Sequence, residues 1–378
     1  ESHMLFDDHL AALEADSKKV GTQEGEIDFA LLVDGLAAER EQGITIDVAY
    51  RFFSTDKRKY IVADTPGHEE YTRNMATGAS TADVAIILVD ASQGVLTQTR
   101  RHSFIVSMVG VKRIILAVNK LDLVDYSEEV FNKIKSDYHE FASEALTLEE
   151  ITAIPISALK GDNIVGPSEN TPWYDGQSVM EYLETVEVAA SSQSRSFRMP
   201  VQWVNRPNRE FRGFTGLIGS GCISTGDKIR VLPSGTESTV ARIVTYDGDL
   251  ELAGAGRSVT LTLTDEIDIS RGDIIASADS PCSSADQFQT RILWMDDSAM
   301  MPGREYLFKS NSQTSSMTLG RLKHRVDVNT LEELPAKVLD MNEIGVCNIS
   351  LSSRIAFDPY DADPVMGGFV IIDRMTNN

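Results

Sequence analysis

Three short apolar runs constrain the fold of the first half of this chain more than any other feature. They are Val84 to Val89, Ile114 to Val118 and Ala153 to Ile156, and segments with apolar residues at helical spacing separate them. Short continuous apolar runs are typical of central strands that are covered on both faces of a parallel sheet. The alternation of strand-like and helix-like segments from Ile46 to Tyr182 therefore predicts an α/β domain around a mostly parallel sheet.

A β-hairpin is predicted ahead of these runs. Apolar and more polar residues alternate from Ile46 to Phe52, a charged turn covers Asp56 to Lys59, and a second apolar run spans Tyr60 to Ala63. Alternation followed by a polar turn and another extended run is typical of two antiparallel strands. Asp64 would directly follow the second strand.

The second half of the chain has a different character. After Ser191 to Arg195 the predicted strands become short, glycine-rich turns are frequent, and helical periodicity almost disappears. This pattern is typical of small closed antiparallel barrels. A further junction at Asp279 to Asp286 divides this half. We therefore predict an α/β domain over residues 1–190 and two antiparallel β-barrel domains over residues 196–280 and 287–378.

A polar motif, Asp64-Thr65-Pro66-Gly67-His68, follows the hairpin. Ligands of open α/β sheets bind at the carboxyl ends of strands, where this motif is predicted to lie. The Asp64 carboxylate can hold Mg²⁺ through water, and the Gly67 amide, unshielded by a side chain, can approach a terminal phosphate. Taken alone, Asp-x-x-Gly is also typical of an ordinary turn.

Two further motifs follow the second and third apolar runs: Asn119-Lys120-Leu121-Asp122 and Ser157-Ala158-Leu159. The Asp122 carboxylate can accept hydrogen bonds from N1–H and the exocyclic N–H of guanine, whereas adenine offers no matching pair of donors. Lys120 can lay its stem along the base, Asn119 can tie neighbouring loops together, and the Ala158 amide can donate to guanine O6. Three motifs in this order, each at a strand's carboxyl end, predict a guanine-nucleotide site.

The segment Glu39 to Asp47 completes this set of motifs. It contains Gly43-Ile44-Thr45-Ile46-Asp47, which resembles the first switch segment of translational GTPases. In this order, and followed by two barrels, the motifs resemble the elongation-factor superfamily across nearly the whole chain. Four further stretches resemble one family within it, the GTPase subunits of sulfate adenylyltransferases. These stretches are Asp47 to Thr55, Thr97 to His102, Lys160 to Asn163 and Pro172 to Tyr174.

The resemblance implies a P-loop-type G domain that binds GTP or GDP with Mg²⁺ and hydrolyses GTP. It implies that Thr45 and Asp64 hold the metal ion, and that His68, beside Gly67, orients the attacking water. The nucleotide-binding residues that it implies are Asp64, Thr65, Pro66, Gly67, His68, Asn119, Lys120, Leu121, Asp122, Ser157, Ala158 and Leu159. It further implies a partner, a smaller catalytic adenylyltransferase subunit that makes adenylylsulfate and pyrophosphate from ATP and sulfate.

One part of the expected nucleotide site is missing from the sequence. A P-loop contains Gly-x-x-x-x-Gly-Lys followed by Ser or Thr, and this chain has no Gly-Lys dipeptide. Either the chain is a degenerate GTPase, or the first strand and the P-loop lie upstream of residue 1. We favour the second interpretation, because Glu1 to Leu10 resembles the segment that follows the P-loop helix in the family.

Charge and composition narrow the possible partners. The formal charge of −22, from 57 acidic and 35 basic residues, argues against a dedicated nucleic-acid binder because such a field repels phosphate backbones. The sequence shows neither eighteen consecutive apolar residues nor a signal peptide, so we expect a cytoplasmic protein without membrane contact. Two alternatives remain open: an elongation-factor-type GTPase that binds aminoacyl-tRNA, and a regulatory scaffold subunit that does not hydrolyse GTP.

Overall fold

Two compact units make up the part of the chain that the structure describes. The structure is a computed structural model and describes residues 45–188, 190–327 and 329–377. The first unit contains the described residues up to Val186 together with 329–331, and the second contains the rest. The segments Glu1 to Leu10 and Glu39 to Ile44, on which part of the sequence interpretation depends, lie outside the described residues.

The first unit contains the α/β elements, and the predicted alternation of strands and helices is confirmed. Its strands are β1 (Ala49–Ser54), β2 (Lys59–Asp64), β3 (Val84–Asp90), β4 (Arg113–Asn119) and β5 (Glu150–Pro155). Its helices are α1 (Thr72–Ala79), α2 (Thr97–Met108), α3 (Glu128–Ala145) and α4 (Val179–Thr185), with 3₁₀ turns at Glu69–Tyr71 and Leu121–Val124.

Strands β3, β4 and β5 form a parallel sheet in that order. Residues Ile114 to Val118 of β4 are fully buried, because this strand is central and covered on both faces. Strand β3 differs from the prediction: Ile87 and Val89 are buried, but Ile86 and Leu88 are 45% and 61% exposed. Successive side chains of a strand point to opposite faces, so one face of this edge strand is open among the described residues.

Strands β1 and β2 form the predicted antiparallel hairpin, with Ala49 opposite Asp64. The turn of the hairpin is tied to the end of α4, because the Arg58 guanidinium donates to the carbonyls of Leu183 and Val186 at 2.8 and 2.9 Å. The last carbonyls of a helix have no partners within the helix, and a basic side chain can satisfy them. The hairpin is thereby fixed to the end of α4.

The two long helices bury the faces that their apolar spacing predicted. Ile105 of α2 and Phe131, Ile134 and Tyr138 of α3 are at most 4% exposed. Helix α3 begins after Ser127, whose side chain accepts the amide hydrogen of the third residue of the helix, as an N-cap does. Among the described residues, no helix is long and apolar enough to cross a bilayer.

The second unit consists mainly of antiparallel strands, as predicted for this half of the chain. In chain order they are β6 (Arg198–Pro200), β7 (Trp203–Asn205), β8 (Gly213–Leu217), β9 (Cys222–Ser224), β10 (Lys228–Leu232), β11 (Glu237–Thr245), β12 (Gly248–Leu250), β13 (Leu252–Gly254), β14 (Ser258–Leu263), β15 (Ile274–Ser277), β16 (Ser283–Leu293), β17 (Glu305–Ser310), β18 (Gln313–Val326), β19 (Glu333–Leu334), β20 (Ile344–Phe357) and β21 (Val370–Asp373). A short helix, α5 (Ala190–Gln193), precedes β6, and another, α6 (Pro364–Gly367), lies between β20 and β21.

The first of the two large sheets in this unit closes on itself. Its strands follow the order β6-β15-β10-β11-β14-β8-β7, with β12 beside β11, while β13 pairs with β9. Strands β6 and β7 are consecutive in the chain yet stand at opposite ends of this order. The sheet closes because β6 also bonds to the residues that follow β8: the amide of Arg198 donates to the Ser220 carbonyl at 3.0 Å, and the Gly219 amide donates to the Arg198 carbonyl at 2.8 Å. Closure removes the free edges and encloses a core that includes Phe197, Met199 and Ile229.

The second large sheet follows the order β16-β20-β18-β17-β21, with β19 beside β18, and encloses a separate core that includes Trp294, Tyr306 and Met317. The predicted start of the third domain, residue 287, falls inside β16. A buried ion pair joins the two sheets: Arg198 Nε donates to Asp358 Oδ2 at 2.7 Å. The ranges 1–190, 196–280 and 287–378 stay predictions.

Candidate nucleotide-binding site

The carboxyl ends of the three parallel strands bring together two residues that the sequence singled out, Asn119 and Ser157, and one that it did not, Asp90. Asp90 at the end of β3 pairs with Asn119 at the end of β4, and Ser157 follows β5 two residues after its last residue, Pro155. Parallel strands end at the same edge of a sheet, and this edge is where α/β folds bind their ligands. The site is therefore built on the ends of buried strands.

Asn119 connects the loop after β4 with the loop after β5. Its Oδ1 accepts hydrogen bonds from the amides of Lys120 and Ala158 at 2.8 and 2.9 Å. Lys120 adopts a left-handed backbone conformation, with φ of 61° and ψ of 35°. The next residue, Leu121, is fully buried and anchors the loop in the core. Two loops that are distant in sequence thus share one side-chain amide.

The Asp122 carboxylate is held by one residue of the neighbouring loop. Ser157 Oγ donates to Asp122 Oδ1 at 2.7 Å, and Ser157 is only 1% exposed. Asp122 Oδ2 accepts no hydrogen bond from the described residues. One carboxylate oxygen therefore fixes the orientation of the side chain, and the other can accept from a ligand.

Asp90 belongs to this site although the sequence analysis did not name it. Lys120 Nζ donates to Asp90 Oδ2 at 2.9 Å, and the hydroxyl and amide of Ser92 donate to Oδ1 at 2.6 and 2.9 Å. These hydrogen bonds, that of the Ser92 hydroxyl above all, and the Lys120 charge lower the pKa of Asp90 to about 2. The sequence signal was its place directly after the first apolar run.

The Ala158 amide, predicted to donate to guanine O6, donates to Asn119 in this structure. Ala158 itself is exposed, and Leu159 is 55% exposed. The amide therefore lies at the surface of the site with an intramolecular acceptor. A base oxygen would have to share the Ala158 amide hydrogen with Asn119 Oδ1, or replace Asn119 as its acceptor.

The motif Asp64 to His68 lies at the end of the hairpin and is supported by α2. Gln98 Nε2 donates a hydrogen bond to the Gly67 carbonyl. A Cβ atom at Gly67 would lie 3.1 Å from Gln98 Nε2 and 3.7 Å from His102 Cε1. Burial, with a smaller effect of the Arg101 charge, lowers the pKa of His102. The stretch Thr97 to His102 resembles the family in sequence, but nothing in the sequence signals the contact of Gln98 with Gly67.

His68 itself is exposed. Its ring centroid lies 6.0 Å from that of Tyr71, and its carbonyl accepts the Tyr71 amide at 3.1 Å. Pro66, two residues earlier, is buried. The loop is therefore anchored on both sides of a side chain that points away from the core.

Helix α1 contacts the segments that carry the remaining predicted site residues, Thr45 and Thr65. Asn74 Nδ2 donates to the Ile46 carbonyl at 2.8 Å, next to Thr45. A Cβ atom at Gly78 would lie 2.6 Å from Thr65 Cγ2 and 3.2 Å from Val48 Cγ1, so only glycine allows the helix to approach both segments. No group of three or more His, Cys, Asp or Glu side chains in the described part of the chain could hold a metal ion.

Two protein families match parts of this chain. Residues 5–195 match "Elongation factor Tu GTP binding domain", and residues 287–378 match "GTP-eEF1A C-terminal domain-like". A solved structure described as Sup35 complexed with GDP covers 99% of this chain and 90% of its own, with 19% identity and a TM-score of 0.48.

Curated relatives match the whole chain at much higher identity. "Sulfate adenylyltransferase subunit 1" of Aliarcobacter butzleri is 58% identical over 100% of this chain and 81% of its own length. The protein of the same name from Chromobacterium violaceum is 55% identical over 100% of this chain and 79% of its own length. The α/β unit, the antiparallel sheets, the two family matches and these relatives all indicate the same family. The chain belongs to the sulfate adenylyltransferase subunit 1 family, whose members are GTPases of the elongation-factor type.

Proposed function

We propose that this chain binds GTP and GDP and hydrolyses GTP as one subunit of a two-subunit sulfate adenylyltransferase. The observation that carries base recognition is the Asp122 carboxylate, which Ser157 Oγ holds at 2.7 Å. N1–H and the exocyclic amine of guanine present adjacent donors that one carboxylate can accept together. Membership of a GTP-binding domain family supports the same ligand.

The neighbouring residues complete the base contacts. Lys120 lays its stem along the base, and its ammonium group remains bonded to Asp90 at 2.9 Å. The Ala158 amide donates to guanine O6 through a hydrogen bond shared with Asn119, which keeps the two loops together. Three-centred hydrogen bonds, in which one N–H is shared between two acceptors, are common in proteins, for example at helix termini.

Thr45 and Asp64 fit Mg²⁺ by the chemistry of their donor atoms. A hydroxyl and a carboxylate are hard oxygen ligands, and Mg²⁺ is usually held by one or two such groups together with phosphate oxygens and water. Ala49, the first residue of β1, pairs with Asp64, the last residue of β2. Thr45 lies four residues before Ala49, so the chain enters the hairpin from Thr45 at the same end that Asp64 occupies. When bound, the ion would offset the negative charge of the phosphates.

Gly67 and His68 are the residues that we assign to hydrolysis. The Gly67 amide faces the terminal phosphate, and the exposed His68 ring orients the attacking water. Phosphoryl transfer depends mainly on positioning and charge stabilisation, so His68 need not remove a proton to accelerate the reaction.

The partner is a smaller catalytic subunit that converts ATP and sulfate into adenylylsulfate and pyrophosphate in the cytoplasm. The sulfate–phosphate anhydride forms unfavourably, so GTP hydrolysis must supply free energy through conformational change. Segments 45–47 and 64–68 are the described parts of this chain that would differ between the GTP and GDP states. The relatives' name, subunit 1, supports a second subunit, and the acidic charge argues against nucleic acid.

Reconstitution of the full-length protein with its copurified partner tests this proposal. We expect ATP- and sulfate-dependent release of pyrophosphate that rises when GTP is added and is hydrolysed. Tight binding of aminoacyl-tRNA without this activity would instead identify an elongation-factor role. Binding of GDP without any GTP turnover, alone or with the partner, would identify a scaffold subunit.

Replacement of His68 by alanine tests the assignment of hydrolysis. We expect the His68→Ala variant to retain its affinity for GTP and to lose about two orders of magnitude in single-turnover hydrolysis, because the attacking water is no longer positioned. His139→Ala, a change to a partly buried histidine on α3, is the control and should hydrolyse GTP normally. Wild-type turnover by His68→Ala would contradict the role.

A further inference from the structure

Besides the Asn119–Ala158 and Ser157–Asp122 hydrogen bonds, a further side-chain hydrogen bond joins the two proposed base-recognition loops. The loop after β4 carries Asp122 and Tyr126, and the loop after β5 carries Ser157 and Asp162. Tyr126 Oη donates to Asp162 Oδ2 at 2.8 Å, and Ser157 Oγ donates to Asp122 Oδ1 at 2.7 Å. The Asp162 amide donates to the Ser157 carbonyl at 3.1 Å. The four residues therefore form a closed ring that contains both loops.

The backbone around Tyr126 is in a conformation that needs support. Asp125 and Tyr126 have φ angles of 52° and 53°, in the left-handed region that residues with side chains rarely adopt. The Tyr126 amide donates to the Leu121 carbonyl at 2.9 Å, and Trp173 Nε1 donates to the Tyr126 carbonyl at 3.1 Å. The contact with Asp162 supplies the side-chain part of this support.

Asp162 is only 9% exposed and is surrounded by donors. Besides Tyr126, it accepts hydrogen bonds from Ser168 Oγ and from Asn170 Nδ2, the latter at 3.0 Å. Although burial alone would raise it, these hydrogen bonds hold the pKa of Asp162 below its ordinary value. Burial, aided by the Asp162 hydrogen bond, raises the pKa of Tyr126 to about 12. At neutral pH the phenol is therefore a donor and the carboxylate an acceptor.

We propose that Tyr126 and Asp162 are positioning residues that set guanine selectivity, by holding Asp122 and Ser157 in register with the base. This inference rests on the proposed function, because it concerns the same base-binding site. A carboxylate accepts two donors of one base only in a narrow range of positions and planes. If the Tyr126–Asp162 hydrogen bond is lost, Asp122 no longer meets both N–H groups at good geometry.

Inosine diphosphate is the probe that separates positioning from general stability. Hypoxanthine keeps N1–H and O6 but lacks the exocyclic amine, so it makes one hydrogen bond to Asp122 where guanine makes two. A well-placed carboxylate therefore discriminates GDP from inosine diphosphate, and a misplaced one discriminates less. A role in stability alone would weaken both nucleotides equally.

The experiment measures the dissociation constants of both nucleotides by calorimetry on the full-length protein. Tyr126→Phe should weaken GDP about fivefold, the equivalent of roughly one neutral hydrogen bond, and lower the GDP preference by a similar factor. Asp162→Asn, which keeps one acceptor oxygen, should change the preference in the same direction. Tyr174→Phe removes a hydroxyl that donates to the Gln177 carbonyl at 2.9 Å outside the ring, and should leave the preference unchanged.

The outcomes distinguish this inference from the proposed function. If the wild-type protein prefers GDP and both Tyr126→Phe and Asp162→Asn keep that preference within twofold, the positioning role is wrong and base recognition stands. If the wild-type protein binds neither nucleotide, both are wrong. A loss of preference in the two ring variants, with none in Tyr174→Phe, supports the ring.

Discussion

Exchange of Asp122 for asparagine changes one carboxylate oxygen of the proposed base-recognition site into an amide NH₂ group and leaves the shape of the side chain intact. The Lys160 amide approaches Ser157 Oγ at 3.4 Å as a donor, so the hydroxyl hydrogen of Ser157 is directed at residue 122. In Asp122→Asn the amide oxygen takes the Oδ1 position and accepts that hydrogen. The NH₂ group then takes the Oδ2 position and faces the ligand. The altered atom is therefore the one that meets the base.

The size of the effect follows from this geometry. In the proposed site the wild-type carboxylate accepts two N–H donors of guanine, and hydrogen bonds to a charged group contribute roughly 1.5–3 kcal/mol each. Loss of both corresponds to about 3–6 kcal/mol, or roughly two to four orders of magnitude in GDP affinity. Xanthine carries a carbonyl in place of the exocyclic amine, so the new NH₂ group can donate to it. We expect the preference to shift from guanine to xanthine nucleotides.

Competition binding with GDP and xanthosine diphosphate on the full-length protein measures the shift. Asp125→Asn is the matched control: it makes the same chemical change three residues further along, at an exposed position whose left-handed backbone asparagine also adopts. It should keep the wild-type preference for GDP. An Asp122→Asn variant that still prefers GDP would refute base recognition by Asp122.

Two further perturbations test the supports of the site. Gly67→Ala places a Cβ atom 3.1 Å from Gln98 Nε2, so we expect GTP turnover to fall about tenfold while the affinity for GDP stays unchanged. Gly166→Ala is the control: its added Cβ atom enters open space, so steady-state GTP turnover should not change. Asp90→Asn removes a carboxylate whose pKa is depressed from 3.8 to about 2. The carboxylate should stabilise the first unit by about 1–2 kcal/mol above pH 4. This is less than the depressed pKa alone implies, because the Lys120 side chain is largely exposed and solvent screens its charge. This difference from wild type, measured by hydrogen exchange in β3 and β4, should disappear as pH falls from about 3.8 to about 2.

The fold and the position of the polar motifs at the strand ends could be predicted because they depend on local patterns. The continuous run Ile114 to Val118 is fully buried in β4, and the spacing of Phe131, Ile134 and Tyr138 matches the buried face of α3. In a parallel sheet the end of each such strand fixes where the next residues lie. Asn119 and its neighbours were therefore placed correctly at the edge of the sheet before any contact was known.

The contacts that orient the site could not be predicted from the sequence, because they join residues far apart in the chain. Ser157 and Asp122 are 35 residues apart, and Tyr126 and Asp162 are 36 apart. No local propensity signals such pairs. The left-handed backbone at Tyr126 was equally hidden, since tyrosine carries no preference for it. The exposure of Ile86 and Leu88 among the described residues depends on which elements pack on that face of β3, and the residues of β3 do not specify those elements.

Lys120 and Asp122, two residues apart, bond to different partners at the strand ends. In the proposed site this arrangement would allow both side chains to contact the base. An ammonium group bonded to Asp122 would occupy the lone pairs that guanine needs. Instead the Lys120 ammonium lies 2.9 Å from Asp90, while Asp122 is held by the neutral hydroxyl of Ser157 at 2.7 Å. A hydroxyl orients a carboxylate without cancelling its charge. In the proposed site Asp90 would therefore contribute to base selection indirectly, because it binds the Lys120 ammonium and leaves the Asp122 carboxylate able to accept from the base.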